Sequence, residues 1–167
     1  VYTDLSKAFL VQAQNRFAAT VPYLRCAMFD VEKSPGAQGF AAGGFDLVIA
    51  TNVLHATRNM RRSLGHVKAL LRTDGLLLVN EIVENDLSMH LTFGLLEGWW
   101  KYEDDALRIP GTPGLHSASW QRVLAAEGFS PIVFPASNAH ALGQQVVIAQ
   151  SDGLLMQAAP VAAPRSE

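Results

Sequence analysis

Two residues that can exchange or orient a proton follow neighbouring apolar runs of the chain. His55 comes shortly after the run 47–50, and Glu81 closes the run that begins at Leu76. Short apolar runs next to glycine predict buried strands of a parallel sheet, and ligands bind beyond the carboxyl ends of such strands. Imidazole in general titrates near neutral pH, so a histidine in that place can take up a proton. The spacing therefore predicts a site of proton chemistry at two successive strand tips.

Each of these residues also has a simpler interpretation. An isolated histidine beside a helix more often binds backbone groups, and a carboxylate at a strand end often caps the following loop. Two further acids, Asp4 and Asp30, end predicted strands, where an acid is frequently only a helix N-cap. The residue types alone leave these alternatives open.

The first half of the chain alternates between predicted strands and helices. Ser6 is the expected N-cap of a helix to about residue 19, because apolar residues recur there at four-residue spacing. A second helix is predicted over 61–72, and a turn at 73–75 leads into the next strand. Strands are predicted at 1–4, 24–30, 45–51 and 76–82. This order predicts an α/β fold with a parallel sheet flanked by helices.

The pattern changes after Glu84. A long, mostly apolar helix is predicted over 87–100, followed by an acidic patch at 103–105 and a Pro/Gly-rich loop, and we expect an insertion over the sheet. Ser117 and Gly128 are the expected N-cap and C′ residue of a further helix. Two more strands, 132–134 and 145–149, follow. Residues 1–150 are predicted to form one domain, and the Ala/Pro-rich residues 151–167 a linker.

The composition indicates one globular domain. The chain has 167 residues, of which 49% are hydrophobic and 17% charged, enough to bury a sizeable core. A net charge of −2 argues against nucleic acid as a partner, and the apolar stretches are too short to cross a membrane. One cysteine and the histidine spacing predict no metal site. We expect a cytoplasmic location, and the opening residues, which lack methionine, suggest a piece of a longer polypeptide.

Three segments together resemble the C-methyltransferase domains of polyketide synthases, which are class I methyltransferases that use S-adenosylmethionine. The segments are Phe45-Asp-Leu-Val-Ile-Ala-Thr-Asn-Val-Leu-His-Ala-Thr-Arg-Asn59, Leu76-Leu-Leu-Val-Asn-Glu-Ile82 and Leu91-Thr-Phe-Gly-Leu-Leu-Glu-Gly-Trp-Trp100. The similarity extends from Tyr2 to about Gln150. It implies a Rossmann-like class I methyltransferase sheet flanked by helices, with S-adenosylmethionine as the cofactor.

The resemblance also implies roles for individual residues. Asp4 would bind the cofactor ribose, and Asp30 would lie by the adenine. Asn52 is a third predicted cofactor-binding residue. His55 would be the general base and Glu81 its partner. A glutamate on one ring nitrogen would fix the tautomer and stabilise the imidazolium that forms when the other nitrogen takes a proton.

The implied substrate is a β-ketoacyl thioester that phosphopantetheine links to an acyl carrier protein. Methylation at its α-carbon needs a base but no metal, because the sulfonium already activates the methyl group. Phe93, Trp99 and Trp100 are candidates for an acyl pocket, although an aromatic cluster at helical spacing is equally well explained as core. The basic run 58–62 can meet the carrier protein, but a solvated helix start explains it better. Neighbouring synthase domains are further implied partners.

The chain departs from the family pattern at its start. The family's first strand and Gly-rich loop, which cradle the methionine part of the cofactor, have no counterpart from Tyr2 onwards, nor has the N-terminal lid subdomain. We expect a sheet truncated at the first strand, unpaired edges on the two neighbouring strands, and poor or no cofactor binding. The alternative function is a catalytically inactive structural pseudo-methyltransferase within a synthase module. A nicotinamide-dependent dehydrogenase is disfavoured, because no G-x-G-x-x-G follows a strand.

Overall fold

The computed structural model describes residues 1–155 and divides their strands between two sheets. The strands are β1 (Tyr2–Asp4), β2 (Cys26–Met28), β3 (Phe45–Thr51), β4 (Leu71–Ile82), β5 (Phe129–Val133) and β6 (Gln144–Ser151). The helices are α1 (Lys7–Phe17), α2 (Met60–Leu70), α3 (Leu87–Thr92) and α4 (Ser117–Ala126). Single turns of 3₁₀ helix span Gly36–Gln38, Leu54–Ala56, Phe93–Leu95, Glu97–Trp100, Asp105–Leu107 and Ser137–Leu142. Most of the predicted linker, from residue 156, lies outside the described residues.

The larger sheet carries the two strand tips on which the sequence analysis centred. Its order is β3-β4-β6-β5, with β3 and β4 parallel and β6 antiparallel to both of its neighbours. Thr51 of β3 pairs with Asn80 of β4, so the two strands end level with one another. Because parallel strands bring their carboxyl ends to one edge of a sheet, the residues after Thr51 and Asn80 are neighbours in space.

The smaller sheet consists of β1 and β2, which run parallel with Tyr2 opposite Cys26. Among the described residues, β1 pairs only with β2 and β3 only with β4, so each has one free edge. A cavity of about 370 Å³ lies between the two sheets and is lined by residues of both β1 and β3. Leu47 and Ile49 are exposed along the free edge of β3. The truncated sheet with two unpaired edges is thus confirmed.

The core lies between the larger sheet and helices α2 and α4. Leu77 and Val79 alternate along β4 and are fully buried, and they belong to one apolar cluster with Leu64 of α2 and Trp120 of α4. Side chains two residues apart share one face of a strand, so Glu81 continues the buried face of Leu77 and Val79. No helix among residues 1–155 is both long and apolar enough to span a bilayer.

Two details of the predicted secondary structure are wrong. One helix was predicted over 87–100, but the α-helix ends at Thr92. Two 3₁₀ turns follow it and are separated by extended backbone at Leu96. Gly94 and Gly98 lie in this segment, and glycine is a weak helix former. The turn predicted at 73–75 lies inside β4, where the pairing with β3 shifts register and Asp74 has a φ of 61°.

The predictions for the helix ends are confirmed only in part. Ser6 is at the N-cap position of α1, but its side chain makes no capping hydrogen bond. Ser117 is the first residue of α4, and His116 occupies the N-cap position. Gly128 follows α4 with a φ of 79°, which confirms it as the C′ residue.

An ion pair between a buried lysine and a half-exposed aspartate joins α2 to the segment after β6 and gives a prediction about stability. Lys68 Nζ lies 2.6 Å from Asp152 Oδ1 and 2.6 Å from the Glu127 carbonyl oxygen. We expect Asp152→Asn to lower the free energy of unfolding by about 1–3 kcal/mol, because the buried ammonium loses its counterion while the half-exposed carboxylate limits the effect. Lys68→Met removes the charge itself, so we expect a change within about 1 kcal/mol.

The same pair has a defined pH dependence. The hydrogen bond from Lys68 is the main cause that lowers the pKa of Asp152, followed by the Leu154 backbone N–H. A lowered pKa in the folded state means that the stabilisation is complete above the unfolded value of about 3.9 and is lost as pH falls below it. Urea denaturation between about pH 6 and about pH 2 measures the free energy of unfolding of both proteins. The wild-type advantage in this free energy over Asp152→Asn should shrink on the acid side. An advantage that stays constant would contradict this assignment.

Candidate active site

The backbone after β3 folds back so that His55 reaches the tip of β4. Asn52 adopts a left-handed conformation with a φ of 50°, and its N–H donates to the Asn80 carbonyl oxygen at 2.8 Å. Asparagine tolerates this conformation better than most residues, so the chain can turn sharply here. The 3₁₀ turn Leu54–Ala56 follows and carries His55. The structure therefore brings together the two residues that the sequence placed at neighbouring strand tips.

Glu81 uses its two carboxylate oxygens for different partners. Oε1 accepts the backbone N–H groups of Val53 at 2.9 Å and Leu54 at 2.7 Å, and Oε2 lies 2.5 Å from His55 Nδ1. Glu81 is only 1% exposed, and the His55 side chain is 12% exposed. The simple interpretation of Glu81 as a loop cap therefore applies, whereas the His55 ring contacts a carboxylate rather than backbone groups. The carboxylate caps the turn that holds the ring it binds.

The contact with Glu81 assigns the tautomer of the imidazole. A carboxylate accepts hydrogen bonds only, so Nδ1 must carry a proton and donate it to Oε2. In the neutral ring, Nε2 is then unprotonated and can accept a proton, and the nearby carboxylate stabilises the imidazolium that results. Among residues 1–155, Nε2 has no hydrogen-bond partner. The arrangement can therefore act as an oriented general base.

The aromatic residues of the insertion lie next to His55. Trp99 is buried, and its ring packs edge-on against the imidazole with centroids 5.8 Å apart. Phe93 stacks on Trp99 at 6.0 Å, and Trp100 stacks on His90 at 5.8 Å. Phe93 and Trp100 are half exposed, which is unusual for core residues of their size. All three predicted pocket residues therefore lie in one aromatic wall beside His55.

The three predicted cofactor residues line the cavity between the sheets. Asp4, Asp30 and Asn52 all contribute to its wall. The two acids also cap local backbone, since Asp4 Oδ1 accepts from Ser6 N–H at 2.7 Å and Asp30 Oδ1 accepts from Glu32 N–H at 3.0 Å. Their capping role and their position at the cavity are compatible, because a carboxylate has acceptor sites for several donors.

The cavity wall suits one half of S-adenosylmethionine. Its charged lining residues are Asp4, Asp30 and Glu32, and aromatic rings are supplied by Phe29 and Phe40. Carboxylates can accept hydrogen bonds from ribose hydroxyls, and aromatic rings can pack against adenine. No lysine or arginine is among the described lining residues, so a cationic partner for the amino-acid carboxylate is missing there. The residues fit the adenosine half and leave the methionine half without a matching group.

Sequence reasoning missed Arg108 and Asp104. Arg108 is buried and donates hydrogen bonds to the carbonyl oxygens of His55 and Thr57, and its Nε donates to Asp104. In the sequence, Asp104 stands out only as part of the acidic patch at 103–105. The one local signal was the four-residue spacing of opposite charges, which is common on helix surfaces and does not indicate a buried contact.

Comparisons with known proteins agree with the resemblance. A family model described as a methyltransferase domain matches residues 1–77. Polyketide synthase PksM of Bacillus subtilis (strain 168) is 56% identical over 92% of this chain and 4% of that protein. The crystal structure of DszA carbon methyltransferase has a TM-score of 0.85 and 36% identity over 93% of this chain and 40% of that one. The trans-methyltransferase CalH, solved in complex with SAH, has a TM-score of 0.74 and 32% identity over 89% of this chain and 41% of that one.

The helix-flanked sheet and its match to these structures define a class I methyltransferase fold. The chain is similar to the C-methyltransferase domains of polyketide synthases. It spans only a small part of the synthase relatives, and about 40% of the DszA chain. The family and the SAH complex of CalH indicate a cofactor of the S-adenosylmethionine type.

Proposed function

We propose that this chain is part of a C-methyltransferase domain that methylates the α-carbon of a carrier-bound β-ketoacyl thioester, with His55 as the base. The observation that carries the proposal is the contact between His55 Nδ1 and the buried Glu81 Oε2 at 2.5 Å. A histidine held in this tautomer is suited to remove a proton from carbon near neutral pH. The α-proton of a β-ketoacyl thioester is acidic enough for such a base, because the enolate is stabilised by two carbonyl groups.

In the proposed reaction, Nε2 of His55 takes the α-proton and the C–H electron pair becomes the enolate. Bound S-adenosylmethionine, whose adenosine half Asp4 and Asp30 would hold, would supply the methyl group on its sulfonium, and the α-carbon would gain the C–C bond as the C–S bond breaks. Glu81 Oε2 holds the Nδ1 proton throughout and stabilises the positive imidazolium. The proton on Nε2 then leaves to solvent, which restores the neutral ring.

The aromatic wall is proposed to hold the acyl chain next to the base. Trp99 lies against the imidazole, and the exposed rings of Phe93 and Trp100 present an apolar surface on the same side. The basic run 58–62 offers less support for a carrier-protein contact. Arg58 already pairs with Glu103 and Arg61 with Glu127, both at the surface. These pairs favour the interpretation as a solvated helix start.

The alternative is a structural pseudo-methyltransferase, and the lack of a lysine or arginine among the described cavity-lining residues is the observation that supports it. Asp4, Asp30 and Glu32 provide no counterion for the methionine carboxylate. A domain that had stopped binding the cofactor would still keep the core of α2, α4 and the larger sheet. The two functions differ in whether the adenosine half is still recognised.

Calorimetric titration of the 167-residue chain with S-adenosylmethionine and with adenosine tests the proposal. We expect both to bind, with dissociation constants within about tenfold of each other, because only the adenosine half meets matching residues. Asp4→Asn keeps the Ser6 cap but removes the charged acceptor, so we expect about tenfold weaker binding of both ligands. Asp105→Asn, at an exposed position outside the cavity, is the matched control.

The outcomes separate the two functions. Binding of neither ligand would contradict cofactor recognition by this chain alone, and binding of both would contradict the structural alternative. Binding of S-adenosylmethionine more than about a hundredfold tighter than adenosine would show that the amino-acid half has its own partners here, contrary to the cavity wall described above. Equal loss in Asp4→Asn and Asp105→Asn would place the ligand elsewhere.

A further inference from the structure

Arg108 is a buried cation whose donors converge on the turn that carries His55. Its side chain is 1% exposed. Nη1 donates to the His55 carbonyl oxygen at 3.0 Å and to the Pro113 carbonyl oxygen at 2.8 Å, and Nη2 donates to the Thr57 carbonyl oxygen at 2.9 Å. Guanidinium is the side chain best suited to this task, because its donors form a rigid planar fork.

Arg108 and Glu81 hold opposite sides of one turn. Glu81 Oε1 accepts the N–H groups of Val53 and Leu54, which open the turn, and Arg108 donates to carbonyl groups at His55 and Thr57, which close it. The anion thus lies at the N–H end and the cation at the C=O end, as the dipole of a helical turn favours. His55 is fixed twice, through its ring by Glu81 and through its backbone by Arg108.

Asp104 orients the guanidinium and connects it to α2. Its Oδ1 accepts from Arg108 Nε at 2.6 Å, and its Oδ2 accepts from the Met60 N–H, the first residue of α2, at 2.6 Å. The Tyr102 ring lies 5.5 Å from the guanidinium carbon. The segment between α3 and α4 therefore supplies a brace for the turn that carries His55.

We propose that Arg108 is a positioning residue for the methyl-transfer reaction. By fixing the backbone at His55 and Thr57, it keeps the imidazole where Nδ1 meets Glu81 and Nε2 is left to take the substrate proton. This inference rests on the proposed function, in which His55 is the base. Mispositioning a base by a fraction of an ångström slows a reaction without weakening substrate binding, because only the transition state needs the alignment.

The first test measures the His55 ring itself in the 167-residue chain. Nitrogen-15 NMR of the imidazole gives the ratio of the two neutral tautomers. We expect the Nδ1–H tautomer to dominate in the wild type and the ratio to fall at least about tenfold in Arg108→Gln. Arg108→Lys retains the charge but cannot reach all three carbonyls, so it should recover the ratio in part. Arg58 is an exposed arginine that follows Thr57 in the chain. Arg58→Gln should leave the tautomer ratio unchanged.

The second test measures methyl transfer in a complete C-methyltransferase domain that contains this chain. We expect Arg108→Gln to lower kcat about tenfold to a hundredfold with KM for the acyl substrate nearly unchanged, and Arg108→Lys to fall between it and the wild type. If Arg108→Gln does not fold, Arg108→Lys alone tests whether Arg108 positions His55. Its thermal midpoint reports on folding, and its tautomer ratio reports on the His55 ring.

The results distinguish the inference from the proposal on which it rests. An arginine variant that is folded and has the wild-type tautomer ratio and kcat overturns the positioning role, even if its thermal midpoint is lower. A changed tautomer ratio in a domain where His55→Ala still methylates normally would instead contradict His55 as the base and leave the structural link between Arg108 and His55 intact.

Discussion

Replacing His55 with alanine in a complete C-methyltransferase domain that contains this chain is expected to lower kcat about 10²- to 10⁴-fold, the usual contribution of a general base. The affinity for the cofactor should change little, because His55 is not among the residues that line the cavity between the sheets. Single-turnover transfer of a labelled methyl group to the carrier-bound substrate measures the step directly.

The matched control for this prediction is His116→Ala. His116 is exposed and lies at the N-cap of α4, where its side chain makes no capping hydrogen bond. We expect that variant to keep near wild-type activity. An undiminished rate in His55→Ala, with the control equally active, would mean that another group removes the α-proton.

Glu81→Gln is expected to lower kcat about a hundredfold or more while the domain stays folded. The amide oxygen of glutamine can still accept the Val53 and Leu54 N–H groups, which leaves the NH₂ group facing His55 Nδ1. Nδ1 must then accept rather than donate, so the proton of the neutral ring moves to Nε2 and blocks the base. The three hydrogen bonds made by Glu81 would lose the carboxylate charge, which should cost about 1–2 kcal/mol of stability.

Three comparisons sharpen this prediction. Glu81→Ala leaves buried donors without acceptors, so we expect it to cost about 3 kcal/mol or more and to be unsuitable for kinetics. Glu103→Gln, at an exposed pair with Arg58, should leave kcat unchanged. The double variant His55→Ala, Glu81→Gln should be slower than His55→Ala by no more than about threefold, because the pair acts as a unit. A double variant that is much slower would give Glu81 a role independent of His55.

The positions of β3 and β4 and the identity of the residues at their tips were predictable from the sequence. Apolar runs bounded by glycine and polar residues are local signals, and β3 was predicted with the bounds that the structure has. The same local signals failed in the insertion, where apolar residues at helical spacing predicted one helix. Gly94, Gly98 and extended backbone at Leu96 divide that segment into short turns instead.

The sequence by itself thus determined the α/β order, the placement of His55 and Glu81 at adjacent strand tips, and the acids Asp4 and Asp30 that reach the cavity. Only the tertiary structure decided how these residues are held. Glu81 meets His55 across 26 positions, and Arg108 meets His55 across 53. Such contacts depend on where the insertion folds back over the sheet, and propensity and periodicity act only over a few neighbouring residues. For that reason the candidate base His55 was visible in the sequence, and the contact of Arg108 with its turn was not.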